Sequence, residues 1–120
     1  MTLPPRIAKQ PKRATRWRSQ AHCSYIRSHH CSIAGCMDMP IEVAHVRLGS
    51  GAGIGQKPDD WNAISLCGGP NGHHAEQHRI GEQSFAMKYQ INLQEIARRF
   101  STNSPKSAEI RRIRNERGLA

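Results

Sequence analysis

Around the run Gly-Gly-Pro-Asn-Gly, one cysteine and three histidines (Cys67, His73, His74 and His78) fall within twelve residues of the stretch SLCGGPNGHHAEQH, residues 65–78. That concentration points to metal chemistry, because thiolate and imidazole are the side chains that hold zinc and related ions. His74 and His78 stand four apart, so on a helix both rings leave one face a turn apart and can reach a single ion. An ion held there can neutralise charge on a phosphate or lower the pKa of a water. A second set is Cys31, Cys36, Cys67 and His73: a Cys-x4-Cys knuckle and a Cys-x5-His knuckle separated by thirty residues. Two knuckles from distant parts of a chain assemble structural zinc sites with tetrahedral thiolate and imidazole ligands. His29 and His30 are alternatives to His73 in that site, and neither they nor His22 have another evident partner. Cys23, inside an expected helix, fits neither knuckle and reads as a semi-buried thiol.

The elements that must carry these residues are short. RWRSQAHCSYIRS places Trp17, Ala21, Tyr25 and Ile26 at helical spacing. Gly35 supplies the tight turn in the first knuckle. PIEVAHVRL, partly alternating and β-branched, predicts a strand ending near Leu48, and WNAISLC predicts a second strand. Between them GSGAGIGQKPDD must be a loop. It lacks the Gly-Lys-Ser/Thr ending of a nucleotide-binding loop, so that function is set aside. A helix is expected from Gly72 or His73, followed by two more over GEQSFAMKYQ and NLQEIARRF, the last with Leu93, Ile96, Ala97 and Phe100 on one face.

The order of these features resembles the HNH endonuclease family, the ββα-metal nucleases. A knuckle, a strand carrying His45, a Gly-rich loop, Asn62 opening the next strand, a second knuckle and His-x3-His follow one another over roughly residues 29–80. AHVRLGSGAGIGQKPDDWNAISLC followed by HHAEQHRIGEQSF most resembles phage and prophage nucleases related to the Ref recombination endonuclease. The run from His73 to Phe85 is the most specific part. The resemblance implies an α+β fold, a small zinc-stabilised ββα-metal core with flanking helices. It implies that His45 is the general base, that Asn62 orients it, and that His74 and His78 bind a catalytic Mg²⁺, Mn²⁺ or Zn²⁺ at the scissile phosphate of DNA. Products would carry 5′-phosphate and 3′-hydroxyl ends, and a host recombinase filament is the implied partner. Many family members have His or Asp before the general base as a further metal ligand; here that residue is Ala44, and Glu42, Asp59 and Asp60 are the candidates to fill in.

Size and charge fit this setting. A chain of 120 residues is one domain near the lower end of what a hydrophobic core alone stabilises, and a bound metal is a common remedy. The net charge of +9 lies in the ends: residues 1–18 carry six Lys/Arg and no acid, residues 104–120 five against two acids, while 19–103 carry seven of each. The reading is a basic N-terminal arm (1–18), a nuclease domain (19–103) and a basic tail (104–120) that is helical when bound. Such ends suit nucleic acid, since each phosphate contact releases a condensed counterion. Lys12, Arg13, Arg16, Arg18, Arg47 and Lys57 are the expected DNA-binding residues. No apolar run approaches the ~20 residues of a membrane span, and no apolar segment follows the basic N-terminus as in a secretory signal. The expected location is therefore the cytosol, which the resemblance makes that of a bacterial host, and there four cysteines point to metal binding or free thiols rather than a disulfide framework. The competing reading is a catalytically inactive, zinc-stabilised nucleic-acid-binding module; a redox or zinc-storage role leaves the basic ends and Asn62 without a purpose.

Overall fold

The two apolar stretches around Val43 and Ile64 pair with each other. In the computed structural model, which describes residues 3–4, 15–53 and 55–119, strand β1 (Ile41–His45) runs antiparallel to β2 (Ala63–Cys67). The register sets Ile41 opposite Cys67, Val43 opposite Ser65 and His45 opposite Ala63. Side chains alternate along a strand, so His45, Val43 and Ile41 share one face while Glu42 and Ala44 share the other. Every residue of β2 is buried, which requires cover on both sides.

Five helices are present among the described residues: α1 (Gln20–Arg27), α2 (His73–Ile80), α3 (Glu82–Tyr89), α4 (Leu93–Asn103) and α5 (Ser107–Glu116); α1, α2 and α4 pack on the sheet, α3 on α2 and α5 on α4. The main core gathers Ala44, Val46, Ile64 and Leu66 from the hairpin region with Phe85, Leu93 and Ala97 from the helices. The α4 face expected from periodicity packs as a unit, with Ile96 and Phe100 at its margin. Two helix starts are capped: the Ser19 hydroxyl accepts from the His22 amide, and the Asn92 side chain from the Glu95 amide. Such caps contribute about 1 kcal/mol each. The small α+β architecture matches the class expected from the sequence. Among the described residues no helix is long and apolar enough to cross a membrane.

Residues 15–18 and α5, read as parts of the basic ends, pack onto the fold. Trp17 stacks on Trp61 with ring centroids 5.3 Å apart, and Ile110 closes a second cluster with Ile113 against it. The Trp17 amide and the Arg117 guanidinium both donate to one oxygen of buried Asp59, at 2.6 and 3.0 Å. Residues 15–19 and α5 are thereby stitched onto the loop that enters β2. The charge count had hidden three apolar anchors, Trp17, Ile110 and Ile113, among the arginines. Lys12 and Arg13, expected on DNA, lie outside the described residues.

Candidate functional site

The hairpin end of the fold draws the two knuckles together. Cys31, Cys36, Cys67 and His73 each bring a ligand atom within 4.8 Å of the others, close enough to hold a metal ion. The Cys36 and Cys67 sulfurs are 3.8 Å apart, and His73 Nδ1 lies 3.4 Å from the Cys31 sulfur and 3.2 Å from that of Cys67. A tetrahedral zinc with sulfurs at ~2.3 Å and nitrogens at ~2.0 Å sets such edges at ~3.8 and ~3.5 Å, so the donor set fits that ion. Local sequence explains the closure. At Gly72 a β-carbon would lie 2.4 Å from the carbonyl oxygens of both Cys67 and Gly68, so only glycine permits the tight return from β2 into α2. That return lets the His73 amide donate to the Cys67 sulfur at 3.2 Å, and an amide at a helix start favours thiolate. Burial pushes the Cys31 thiol up to about 11; the charge of an ion is what makes thiolates favourable in such a place. His29 turns instead to the Tyr25 carbonyl at 2.7 Å, and His30 is exposed.

One residue further along α2, the helical pair forms as its spacing requires. His74 and His78 face each other with Nε2 atoms 3.2 Å apart. That separation is a hydrogen-bond distance, and it is also close to the ~3.3 Å between two imidazole nitrogens held at ~2.0 Å by one tetrahedral ion. His74 Nδ1 meets Glu42 Oε1 at 2.8 Å. A carboxylate on one ring nitrogen fixes the tautomer and leaves the other nitrogen as a ligand. Of the three acids expected to replace the residue missing at Ala44, the structure therefore brings only Glu42 to the pair, and it stands behind His74. Gly68 makes room for it, since a β-carbon there would come within 2.5 Å of Glu42 Cδ. Ala44 itself is fully buried in the core.

Asp60 goes elsewhere. Its Oδ1 lies 2.9 Å from His45 Nε2 and accepts from Arg16 at 2.9 Å; its Oδ2 accepts from the Ser19 amide at 2.8 Å and faces the Cys23 thiol at 3.5 Å. Burial pushes the Asp60 carboxyl up, but these bonds, led by His45, outweigh it and hold it well below the usual carboxylate range. The ionised carboxylate accepts Nε2–H and leaves His45 Nδ1 with a lone pair. The side chain that meets the His45 ring is thus Asp60 and not Asn62. Asn62 uses its backbone to close the hairpin end, its carbonyl accepting from the Val46 amide at 2.7 Å. The Asp60 position was within reach of the sequence, three residues before the strand position opposite His45. Asp59, occupied by Trp17 and Arg117, stays away from both histidine groups.

No family model, curated protein or solved structure matches this chain. The remaining basic residues divide: Arg16 is engaged with Asp60 and the Pro58 carbonyl, Arg47 reaches the Gly53 carbonyl at 2.6 Å from an exposed position, and Arg18 and Lys57 are exposed. His22 is a core residue. Its Nδ1 pairs with the Ser104 hydroxyl at 2.7 Å, and burial lowers its pKa, so the ring is neutral.

Proposed function

We propose that this protein is a metal-dependent DNA endonuclease of the HNH type, with zinc in the Cys31, Cys36, Cys67 and His73 site and a catalytic divalent ion on His74 and His78. The observation that carries the reading is the paired Nε2 atoms of His74 and His78 at 3.2 Å, backed by Glu42 on the strand that ends in His45. A phosphodiester repels nucleophiles by its charge; when bound, a divalent ion supplies positive charge to the phosphate and its leaving oxygen. His45 takes the proton of the attacking water at Nδ1, while Asp60 keeps Nε2–H in place and stabilises the imidazolium. In-line displacement needs the base and the leaving-group charge on opposite sides of phosphorus. Glu42 and His45 are three residues apart on β1, about 10 Å by strand rise, with side chains on opposite faces, so a phosphate served by both groups would lie across an edge of the strand. Among the described residues β1 pairs only with β2, which leaves its outer edge unpaired by a further strand.

The resemblance extends the proposal to cleavage during phage or prophage recombination in a bacterial cytoplasm, alongside a recombinase filament. The second reading, an inactive nucleic-acid-binding module, draws on Ala44, whose methyl group stands where many HNH nucleases place a ligand. Nicking of supercoiled plasmid separates the two. The wild-type protein is expected to nick only with added divalent metal, and His78→Ala to lose nicking while keeping one zinc per chain and its circular dichroism. Nicking that survives His78→Ala, or that needs no metal, contradicts the proposed site.

A further inference from the structure

A cleft of about 440 Å³ opens between α4, α5 and the start of β2. Trp61, Ala97 and Ile110 contribute its apolar lining, and Arg98, Arg111 and Arg114 its charge. No acidic side chain lines it among the described residues. Arg98 pairs with Glu95 one turn back on its own helix, and the Arg114 guanidinium lies over the Trp61 ring, 5.7 Å from its centroid. Arg111 is exposed and makes no ion pair among the described residues. Arg111 brings an exposed positive charge to a lining that holds no acidic side chain among the described residues, so an anion entering beside it and Arg98 meets attraction and no carboxylate.

The place of the cleft says which anion. Asn62 lines it and directly precedes Ala63, the residue opposite His45 in the hairpin. On the far side the loop closes against α4: a β-carbon on Gly49 would come within 2.2 Å of Gln94 Nε2, so the loop backbone itself forms that wall. Ser101 fixes the Trp61 carbonyl at 3.0 Å and holds the floor. The cleft therefore has a fixed shape, hydrogen-bonding walls and positive charge, beginning one residue from the partner of the candidate base.

We infer that this cleft holds the phosphodiester backbone of the DNA strand leading into the site, with Arg98 and Arg111 as phosphate contacts. The inference rests on the nuclease reading for the identity of its ligand. None of the basic residues singled out from the sequence lies in it; α5, read there as a tail, supplies Arg111 and Arg114.

The test is fluorescence anisotropy of a labelled duplex oligonucleotide with the full zinc-loaded chain and no added divalent metal, at several salt concentrations. The double variant Arg98→Gln/Arg111→Gln should make the slope of log affinity against log salt shallower by about 2, narrowing the change in affinity between about 50 and 200 mM salt roughly tenfold. Arg98→Lys/Arg111→Lys should restore most of the slope, because phosphate contact needs charge. Arg112→Gln, which removes one positive charge from outside the cleft, where Arg112 pairs with Glu116, should leave the slope nearly as it was rather than lower it by about half as much as the double variant, and melting temperatures check that each variant is folded. An unchanged slope in the double variant, or a loss about half the double variant's in Arg112→Gln, overturns the cleft. Plasmid nicking is scored beside it. A wild type that nicks while the double variant keeps its slope sinks the cleft and spares the nuclease. A changed slope in a protein that never nicks does the reverse, and a wild type that binds no DNA overturns both.

Discussion

Asp60→Asn is the most informative single substitution, because all four donors around this carboxylate are accounted for. Oδ1 receives Arg16 and His45, and Oδ2 receives the Ser19 amide and the Cys23 thiol. Asparagine offers one acceptor oxygen and one amino group. Whichever way it turns, the amino group confronts either Arg16 and His45 or the Ser19 N–H. Removing one partner of a buried ion pair costs about 3–5 kcal/mol; Arg16 is partly exposed and can rehydrate, so about 2–3 kcal/mol is the expected loss. For a chain of this length that is a fall of about 10 °C in melting temperature. The catalytic effect should be larger. With the amino group towards His45, Nε2 becomes the acceptor and the proton moves to Nδ1, where the base is needed; a drop in cleavage rate of about 10²- to 10⁴-fold follows. The acid limb of stability checks the same carboxylate. A carboxyl held low in the folded state stabilises it fully above the unfolded value near pH ~4, and that stability is lost as pH falls through the folded value. Asp60→Asn should flatten this limb. Thermal melting against pH, together with single-turnover cleavage at a temperature where both proteins are folded, gives both readouts. A variant that melts with the wild type and cleaves at its rate refutes the reasoning.

The zinc site and the histidine pair yield two more predictions. Cys36→Ser removes one of three sulfurs from a site that joins the first knuckle to β2 and α2, so zinc content should fall below one per chain and cooperative melting be lost; a folded, zinc-loaded variant contradicts that assignment. Glu42→Gln should weaken divalent-metal activation of cleavage by about 10- to 100-fold while barely moving the melting temperature, since Glu42 is half exposed and acts through His74. An unchanged metal titration curve would place Glu42 outside the site.

The parts of this fold set by local rules were readable in the chain. Cys-x4-Cys, Cys-x5-His and His-x3-His each fix geometry within a few residues: the two knuckles close into a cluster that can hold a metal ion, and the rings of His74 and His78 meet. The α4 stripe of Leu93, Ile96, Ala97 and Phe100 likewise needed only its period. What escaped depends on contacts between distant segments. Asp60 could be read as a metal ligand until the hairpin register brought it to His45 and the packing of residues 16–23 surrounded it with donors. The basic ends looked like solvated arms because net charge counts Arg16 and Arg117 without showing that Asp59 and Asp60 receive them. Trp17 and Ile110 meet only because β2 begins beside Trp61, a relation no local pattern in either terminal segment contains.

The most direct test of the proposed nuclease activity is the cleavage of plasmid and single-stranded DNA with Mg²⁺, Mn²⁺ or Zn²⁺ by the wild type and by His45→Ala. His45 is a partly exposed side chain at the end of β1, so its loss should leave folding, zinc content and DNA binding nearly intact. The account predicts metal-dependent cleavage by the wild type that falls by about 10²-fold or more in the variant. Equal cleavage by both proteins, or DNA binding without cleavage under any metal, contradicts it.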